Sequence, residues 1–448
     1  MFDVSSAKGL RKNKMDWVLL IAVAMIVTIG TFAIMSATVA LPMYGHIMRT
    51  HFIALPLAAM VLLFTWSFNY QIYQDQWKIL YTVLIVSMIG VLIFGTYDRG
   101  ARAWYKLPFF SVQPSEPCRV ILILVFANFL DKNVNRISEP ATLLKGLALT
   151  LPFFYLLIKQ PDFSAAAITF PIIIAMLYCA GASIFHLLVM LGFGFIAGIL
   201  PLAWTMISLH PEWVESNNLV QWVYSLSHFG WTTVVFCVVV GALAWFGYWL
   251  SNQFRTYLPT IYFIGAGLVL SMGFVTAVWV QGQIKDYQRK RLEVFLMPDA
   301  DPKGAGYNLL QAQIGMGSGG ILGKGVFSGT QSRLGFVPER HTDFVLSVVG
   351  EEMGFVGTLG TLLLYLLMLW RVMGAGDSSR DQYGYLVCSG IFALFLIYML
   401  INFGMLVGLI PVAGIPLSLV SYGGSNLVAA IWAIGIVESI YARRMAIV

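Results

Sequence analysis

The sequence predicts an all-α polytopic membrane protein with about twelve transmembrane helices and a large external loop. Three observations carry this expectation. Of 448 residues, 59% are hydrophobic and 11% charged, against roughly 25% charged in an ordinary soluble domain. No Lys, Arg, Asp or Glu occurs over 17–48, 163–211, 216–254, 256–284 or 382–437, and each run exceeds the ~20 residues a helix needs to cross a bilayer. Basic residues also gather before the first span, after the last and on alternate connections, the bias that orients helices in membranes. A soluble globular protein is excluded, and the spans are too long and numerous for the first to be a cleaved signal peptide.

Spans are expected near 17–38, 50–67, 78–96, 115–131, 143–159, 163–182, 184–208, 226–250, 256–281, 344–371, 384–408 and 424–442. Lys8, Arg11, Lys12 and Lys14 precede the first span and place the amino terminus in the cytoplasm. Lys78 then marks a cytoplasmic connection, and the third span leads to an external loop with Arg99, Arg102 and Lys106. The fourth opens with Gln113-Pro114-Ser115-Glu116-Pro117-Cys118-Arg119. Ser115 can cap it and Pro117 is tolerated in its first turn, while Glu116 and Arg119 at i, i+3 share a face. They form either a structural ion pair or part of a catalytic site.

Lys132, Arg136 and Lys145 bring the chain back inside before the fifth span. That span ends externally at Lys159-Gln160-Pro161-Asp162, a second charged pair with the same two readings. Short turns at Ala180-Gly181-Ala182 and around Asn252, beside Arg255, separate the next pairs of spans. The segment 282–343 is the one sizeable stretch outside the membrane, and a loop of that length is usually functional or disordered. It holds Lys285, Arg289, Lys290, Arg291, Lys303, Lys324, Arg333 and Arg340, a basic outward surface that contradicts the charge rule unless something anionic is held there.

Within it, Met297-Pro298-Asp299-Ala300-Asp301-Pro302-Lys303-Gly304 has the residues of a type I turn. Asp301 is thus either a turn carboxylate or a general base, with neighbouring cations to hold a pyrophosphate leaving group. Glu339 to Asp343 puts two carboxylates, a guanidinium, an imidazole and a hydroxyl together, and Thr342 or Asp343 could cap the next helix. Glu351 and Glu352 follow a little over two turns into that helix, either as interior salt bridges or as functional ionisable groups at membrane depth. Arg371 and Arg380 mark the next cytoplasmic connection. Gly408 to Pro416 and Ser421-Tyr422-Gly423-Gly424-Ser425 interrupt the apolar pattern before the last span, and irregular backbone at that depth must be buried in protein or line a cavity. Arg443 and Arg444 place the carboxyl terminus inside.

Composition adds exclusions. The net charge of +6 needs no nucleic-acid partner, since basic cytoplasmic loops account for it. Cys118, Cys179, Cys237 and Cys388 lie in apolar stretches and form neither a disulfide framework nor a CxxC knuckle. The six histidines have no i, i+4 pair that would make a helical zinc site.

Together the motifs resemble the SEDS family (shape, elongation, division and sporulation), in family order from the fourth span to the last. The resemblance rests on Gln113-Pro114-Ser115-Glu116, Gln160-Pro161-Asp162, Tyr287-Gln288-Arg289-Lys290-Arg291, Asp301 to Tyr307, Gly317-Ser318-Gly319-Gly320, Gly329 to Phe344, and Gly414-Ile415-Pro416 with Val420 to Ser425. The Gly329-Thr330-Gln331-Ser332 run and Pro338-Glu339-Arg340-His341-Thr342-Asp343 look more like the rod-shape branch than the division branch, which commonly has Ala in place of that Arg.

The resemblance implies a peptidoglycan glycosyltransferase of cell elongation that polymerises lipid II into glycan strands at the outer face of the bacterial cytoplasmic (inner) membrane. It would work with a class B penicillin-binding transpeptidase and other elongation-machinery proteins, surrounded by membrane lipid. On that reading Asp301 is the catalytic base of an inverting displacement. Glu116, Arg119, Asp162, Gln288, Arg289, Arg291, Lys303, Lys324, Gln331, Ser332, Glu339, Arg340, His341, Asp343, Ser421 and Ser425 are the substrate-binding candidates. A divalent cation, Mg²⁺ or Mn²⁺, would suit a pyrophosphate leaving group, although no dedicated acidic cage is evident.

The chain departs from the family pattern at several places. Arg119 stands where Lys is usual, Pro117 and Cys118 replace a Leu-Ala type pair, and Ala103 separates Arg102 from Trp104. Ala312, Ala413, Ser418 and Asn426 replace Ser, Thr, Pro and Ser, changes that touch packing more than chemistry. Ten helices are usual, so 209–281 reads as an inserted two-helix hairpin within a single transmembrane domain of 1–448. An even insertion keeps the loop at 282–343 outside. Two rivals remain open: a flippase for the lipid-linked precursor, which would place its polar groups at the midplane, and a noncatalytic scaffold, which would not need Asp301.

Overall fold

The computed structural model describes residues 15–98, 101–106, 111–254, 258–284, 289, 291, 293, 295, 305–331, 340–412 and 414–444. In chain order the helices are α1 (Trp17–Thr38), α2 (Tyr44–Ser67), α3 (Gln71–Asp75), α4 (Trp77–Phe94), α5 (Ser115–Lys132), α6 (Pro140–Lys159), α7 (Phe163–Cys179) and α8 (Ile184–Leu209). They continue as α9 (Pro211–Ser216), α10 (Asn218–Ser225), α11 (Trp231–Gln253), α12 (Thr260–Gln283), α13 (Ala305–Ser318), α14 (Val345–Asp377), α15 (Gln382–Leu406) and α16 (Gly424–Ala442).

Ten of the described helices are long and apolar enough to cross a membrane: α1, α2, α4, α6, α8, α11, α12, α14, α15 and α16. The two remaining spans expected from the sequence are present as helices that miss this measure. α5 carries Glu116, Arg119, Asp131 and Lys132, and α7 has only 17 residues.

Local chemistry explains the helix starts. Asp16 caps α1 through Val18 and Leu19 N–H, Asp162 caps α7 through Ala165 N–H, Ser183 caps α8 through His186 N–H, and Asp381 caps α15 through Gly384 N–H. Pro140 begins α6, where its missing N–H has no partner to lose. Two expected caps are absent. Ser115 is the first residue of α5 rather than its cap, and the α14 cap position is Phe344 rather than Thr342 or Asp343; neither helix has a side-chain cap bond.

The connection between α4 and α5 is a small antiparallel sheet where a plain loop was expected. Strands β1 (Thr96–Asp98), β2 (Ala101–Lys106) and β3 (Ser111–Val112) lie in that order, with Thr96 opposite Trp104 and Tyr105 opposite Val112. β-branched and aromatic partners suit such pairs. Arg102 folds back to donate to Leu92 O at 3.2 Å.

The chain forms two compact units: Met1–Gly181 with Asn308–Val448, and Ala182–Tyr307. In the first, α16 runs along α2, α1 packs on α14, and α15 packs on α14, α7 and α5. α5, α15 and α16 are the most deeply buried long helices and α4 is largely exposed, so these three form the centre. A polar knot closes one end of this unit: Arg371 Nε and Nη2 both reach Asp16 Oδ2, at 2.7 and 2.5 Å, while Asp16 N–H donates to Glu438 Oε2 at 2.9 Å.

The second unit contains α8 to α12, including all elements within the expected 209–281 hairpin. Its core is Trp204, Leu226, Phe274, Ala277 and Val278. Trp204 Nε1 donates to Val223 O at 3.0 Å, which ties α10 to α8, and Phe236 stacks on Phe274 with centroids 3.8 Å apart.

Candidate active site

The first turn of α5 brings Glu116 and Arg119 together as their spacing predicts: Arg119 Nη1 donates to Glu116 Oε2 at 3.1 Å, and the guanidinium is 1% exposed. A lone buried pair rarely repays its desolvation, and here neutral side chains complete it. Arg119 Nε donates to Thr169 Oγ1 at 3.3 Å, and Nη1 also meets the Tyr398 hydroxyl. Tyr398 in turn donates to Glu116 Oε2 at 2.8 Å, and Asn426 Nδ2 donates to the same oxygen at 3.1 Å. A cavity of about 10 Å³, room for one water, lies among Glu116, Arg119, Tyr398, Ser418 and Asn426.

Asp162 joins from the α6–α7 connection. Its carboxylate accepts Gln113 Nε2 at 3.1 Å and Ala165 N–H at 3.0 Å. Burial pushes the carboxyl up from its ordinary range, while the Ala165 N–H and the Arg119 charge pull it back. The expected pairing with Lys159 is replaced by these bonds, and Lys159 Nζ lies over the Tyr155 ring at 5.6 Å. Ser425 Oγ accepts Gln113 N–H at 3.3 Å. Glu116 and Arg119 thus share one hydrogen-bonded group with side chains of α7, α15 and α16, while Asp162 and Ser425 meet at Gln113 and the Arg119 charge acts on Asp162.

A second group forms where α14 breaks. Gly354 has φ +68° inside the helix, so the expected single helix is two segments. Glu351 and Glu352, both buried, lie just before the break. Glu351 Oε1 accepts Lys324 Nζ at 3.0 Å, Thr330 Oγ1 at 3.1 Å and Gln331 N–H at 2.8 Å. Lys324 Nζ also donates to Ser318 Oγ at 2.7 Å and Thr330 Oγ1 at 2.8 Å. Three acceptors match the three protons of an ammonium, so Lys324 ties Ser318 and Thr330 to Glu351. Gln331 enters the same group through its backbone.

The remaining described candidates divide by position. Arg340 is buried and its Nε donates to Ala37 O at 2.6 Å. Tyr422 N–H donates to His341 O at 2.9 Å, with the two rings 5.7 Å apart. Asp343 is buried. Ser421 Oγ accepts Leu417 N–H at 2.8 Å and closes a turn. Arg289 is exposed and Arg291 half-buried. Asp301, Gln288, Lys303, Ser332 and Glu339 lie outside the described residues. Among the described residues no group of three or more His, Cys, Asp or Glu side chains could hold a metal ion.

Sequence reasoning missed Tyr398, Thr169 and the contact made by Asn426. Asn426, expected to touch packing more than chemistry, donates to Glu116. A tyrosine in mid-span needs a partner for its hydroxyl, which was the available signal for Tyr398.

Comparison with known proteins agrees with this architecture. The FtsW/RodA/SpoVE cell cycle protein family model matches residues 16–228 and 231–445. The peptidoglycan glycosyltransferase RodA of Treponema pallidum (strain Nichols) is 32% identical over 441 residues, covering 96% of this chain and 98% of that protein. The peptidoglycan glycosyltransferase MrdB of Escherichia coli (strain K12) is 31% identical over 376 residues, covering 84% and 80%. A chain from a structure described as showing coordination of polymerization and crosslinking by a peptidoglycan synthase complex is 26% identical, with a TM-score of 0.62 over 97% of this chain and 99% of that one. The rod shape determining protein RodA of Thermus thermophilus, 23% identical with a TM-score of 0.60 over 97% and 98%, shares the fold. The chain belongs to the FtsW/RodA/SpoVE family of cell cycle proteins.

Proposed function

We propose that the protein is a peptidoglycan glycosyltransferase that polymerises lipid II at the outer face of the bacterial cytoplasmic membrane. The observation that carries this reading is the match along nearly the whole of both chains to a relative named for that activity. The buried Glu116–Arg119–Asp162 group adds a fixed polar site at the α5 end from which the β1–β3 sheet emerges.

Asp301 is assigned as the base. Its carboxylate takes the proton of the acceptor GlcNAc 4-hydroxyl, whose oxygen attacks the anomeric carbon of the lipid-linked MurNAc. The bond from that carbon to the pyrophosphate breaks, and undecaprenyl pyrophosphate leaves with the electron pair. An α-linked donor becomes a β-linked glycan, so one displacement suffices and no covalent enzyme intermediate is needed. Both termini are cytoplasmic on this reading, the loop at 282–343 is external, and a class B transpeptidase crosslinks the product.

The test is lipid II polymerisation by purified protein, with and without its cognate class B transpeptidase, comparing wild type with Asp301→Ala at matched folding. Polymer from wild type and a loss of about a thousandfold or more in the variant is expected for a removed base. Full activity in Asp301→Ala would remove the base assignment. Absence of polymer from both, together with transbilayer movement of lipid II in vesicles, would favour a flippase.

A further inference from the structure

Several motif residues are left outside the proposed chemistry, and they meet at the break in α14. The segment Val345–Met353 ends with carbonyls that have no helical partner, and the segment after Gly354 begins with unpartnered N–H groups. Residues 320–325 supply both. Lys324 and Gly325 N–H donate to the carbonyls of Glu351 and Glu352 at 3.1 and 3.0 Å, while Phe355 and Val356 N–H donate to the carbonyls of Gly320 and Ile321 at 2.9 and 3.1 Å. A Cβ on Gly319 would lie 2.0 Å from Gly350 O, and one on Gly323 would lie 2.1 Å from Glu352 O. The two backbones touch too closely for a methyl group at either position.

The carboxylates grip the rest of the segment. Glu351 holds Lys324, Thr330 and Gln331 as described above. Glu352 Oε2 accepts Phe327 N–H at 3.1 Å, and its Oε1 accepts Gly329 N–H at 3.3 Å and the Ser36 hydroxyl from the end of α1. Each partner is a donor, which suits acceptor-only carboxylates, and hydrogen bonds to an ionised group are about twice as strong as neutral ones. One residue past Ser36, Ala37 O accepts Arg340 Nε, so the same end of α1 also receives the chain that follows.

We propose that Glu351 and Glu352 are positioning residues that clamp 319–331 to the α14 break and to the end of α1, and so fix the place of that end, where Ala37 receives Arg340. The pair acts through the backbone and side chains it holds. The kinetic half of this inference rests on the proposed glycosyltransferase activity, and the structural half does not.

The test is hydrogen–deuterium exchange and lipid II polymerisation on full-length protein in nanodiscs, comparing wild type with E351Q, E352Q, S36A and G323A. Losing a charge-assisted bond frees segment opening by about tenfold or more. E351Q and E352Q should therefore speed exchange by that factor in peptides covering 323–331 and 355–356, with α15 unchanged. The rate per folded molecule should fall about tenfold at an unchanged KM. G323A keeps both carboxylates and should reproduce both changes, while S36A should show smaller ones; these two variants decide the matter if a glutamate variant does not fold. Unchanged exchange in all four variants would overturn the clamp. Faster exchange with an unchanged rate would overturn the positioning role. Wild type without polymerase activity, but with the expected exchange pattern across the variants, would overturn the proposed function and support the clamp.

Discussion

Arg119 reaches Thr169 through Nε and both Glu116 and Tyr398 through Nη1, and a guanidinium carries donors at these two places along the side chain where an ammonium carries them only at its tip. Arg119→Lys keeps the charge and drops the Nε bond to Thr169, so a loss of about 1 kcal/mol is expected. Glu116→Gln leaves the guanidinium buried without its nearest countercharge, so about 3 kcal/mol is expected. Thermal unfolding in detergent should rank Glu116→Gln below Arg119→Lys. The reverse ranking would mean that Thr169 and Tyr398, rather than the carboxylate, hold the guanidinium. The Glu116–Arg119 pair was legible because i, i+3 spacing is local. Tyr398 and Asn426 were not, since they come to Glu116 from 282 and 310 residues away and carry no charge.

At the scale of elements, uncharged length and flanking charge located the spans, whereas caps and breaks were less legible. Asp16 stands directly before the uncharged run that begins at Trp17. In the structure it caps α1, binds Arg371 and donates its N–H to Glu438. Asp16→Ala should destabilise the protein by about 3 kcal/mol, because a buried partner of an ion pair and a cap are lost together. A lower thermal midpoint, partly restored by adding Arg371→Met, would show that the unpaired guanidinium causes the loss. An unchanged midpoint would remove the knot as a source of stability. The break in α14 escaped notice because one glycine in a membrane span carries no local signal. Gly354 becomes a break only because the segment 320–325 arrives to satisfy its neighbours.

For the whole molecule, the sequence conveyed an all-helical membrane protein and the family motifs in order. The crossings of α5 and α7 rest on the alternation of sides. A crossing α5 puts the β3 strand and the connection before α6 on opposite faces. In a background with Cys118, Cys179, Cys237 and Cys388 replaced, Ser111→Cys should react with an impermeant thiol reagent from outside cells, and Ser138→Cys only after the membrane is opened. Both positions are exposed. Labelling of both from one side would remove α5 from the crossings and reverse every later segment.

The contacts of α1 also set the order of assembly. Its start waits for Arg371 and Glu438, 355 and 422 residues later, and its end waits for Arg340 and Glu352, 303 and 316 residues later. Thr31 of α1 meets His51 of α2 only 20 residues on, whereas the groups that hold the two ends of α1 come more than 300 residues after it. Contacts at such separation make folding slow. A chain stalled before α16 retains an α1 whose Asp16 N–H has no Glu438 to meet, so the amino-terminal helix is fully locked in place only by the carboxy-terminal one.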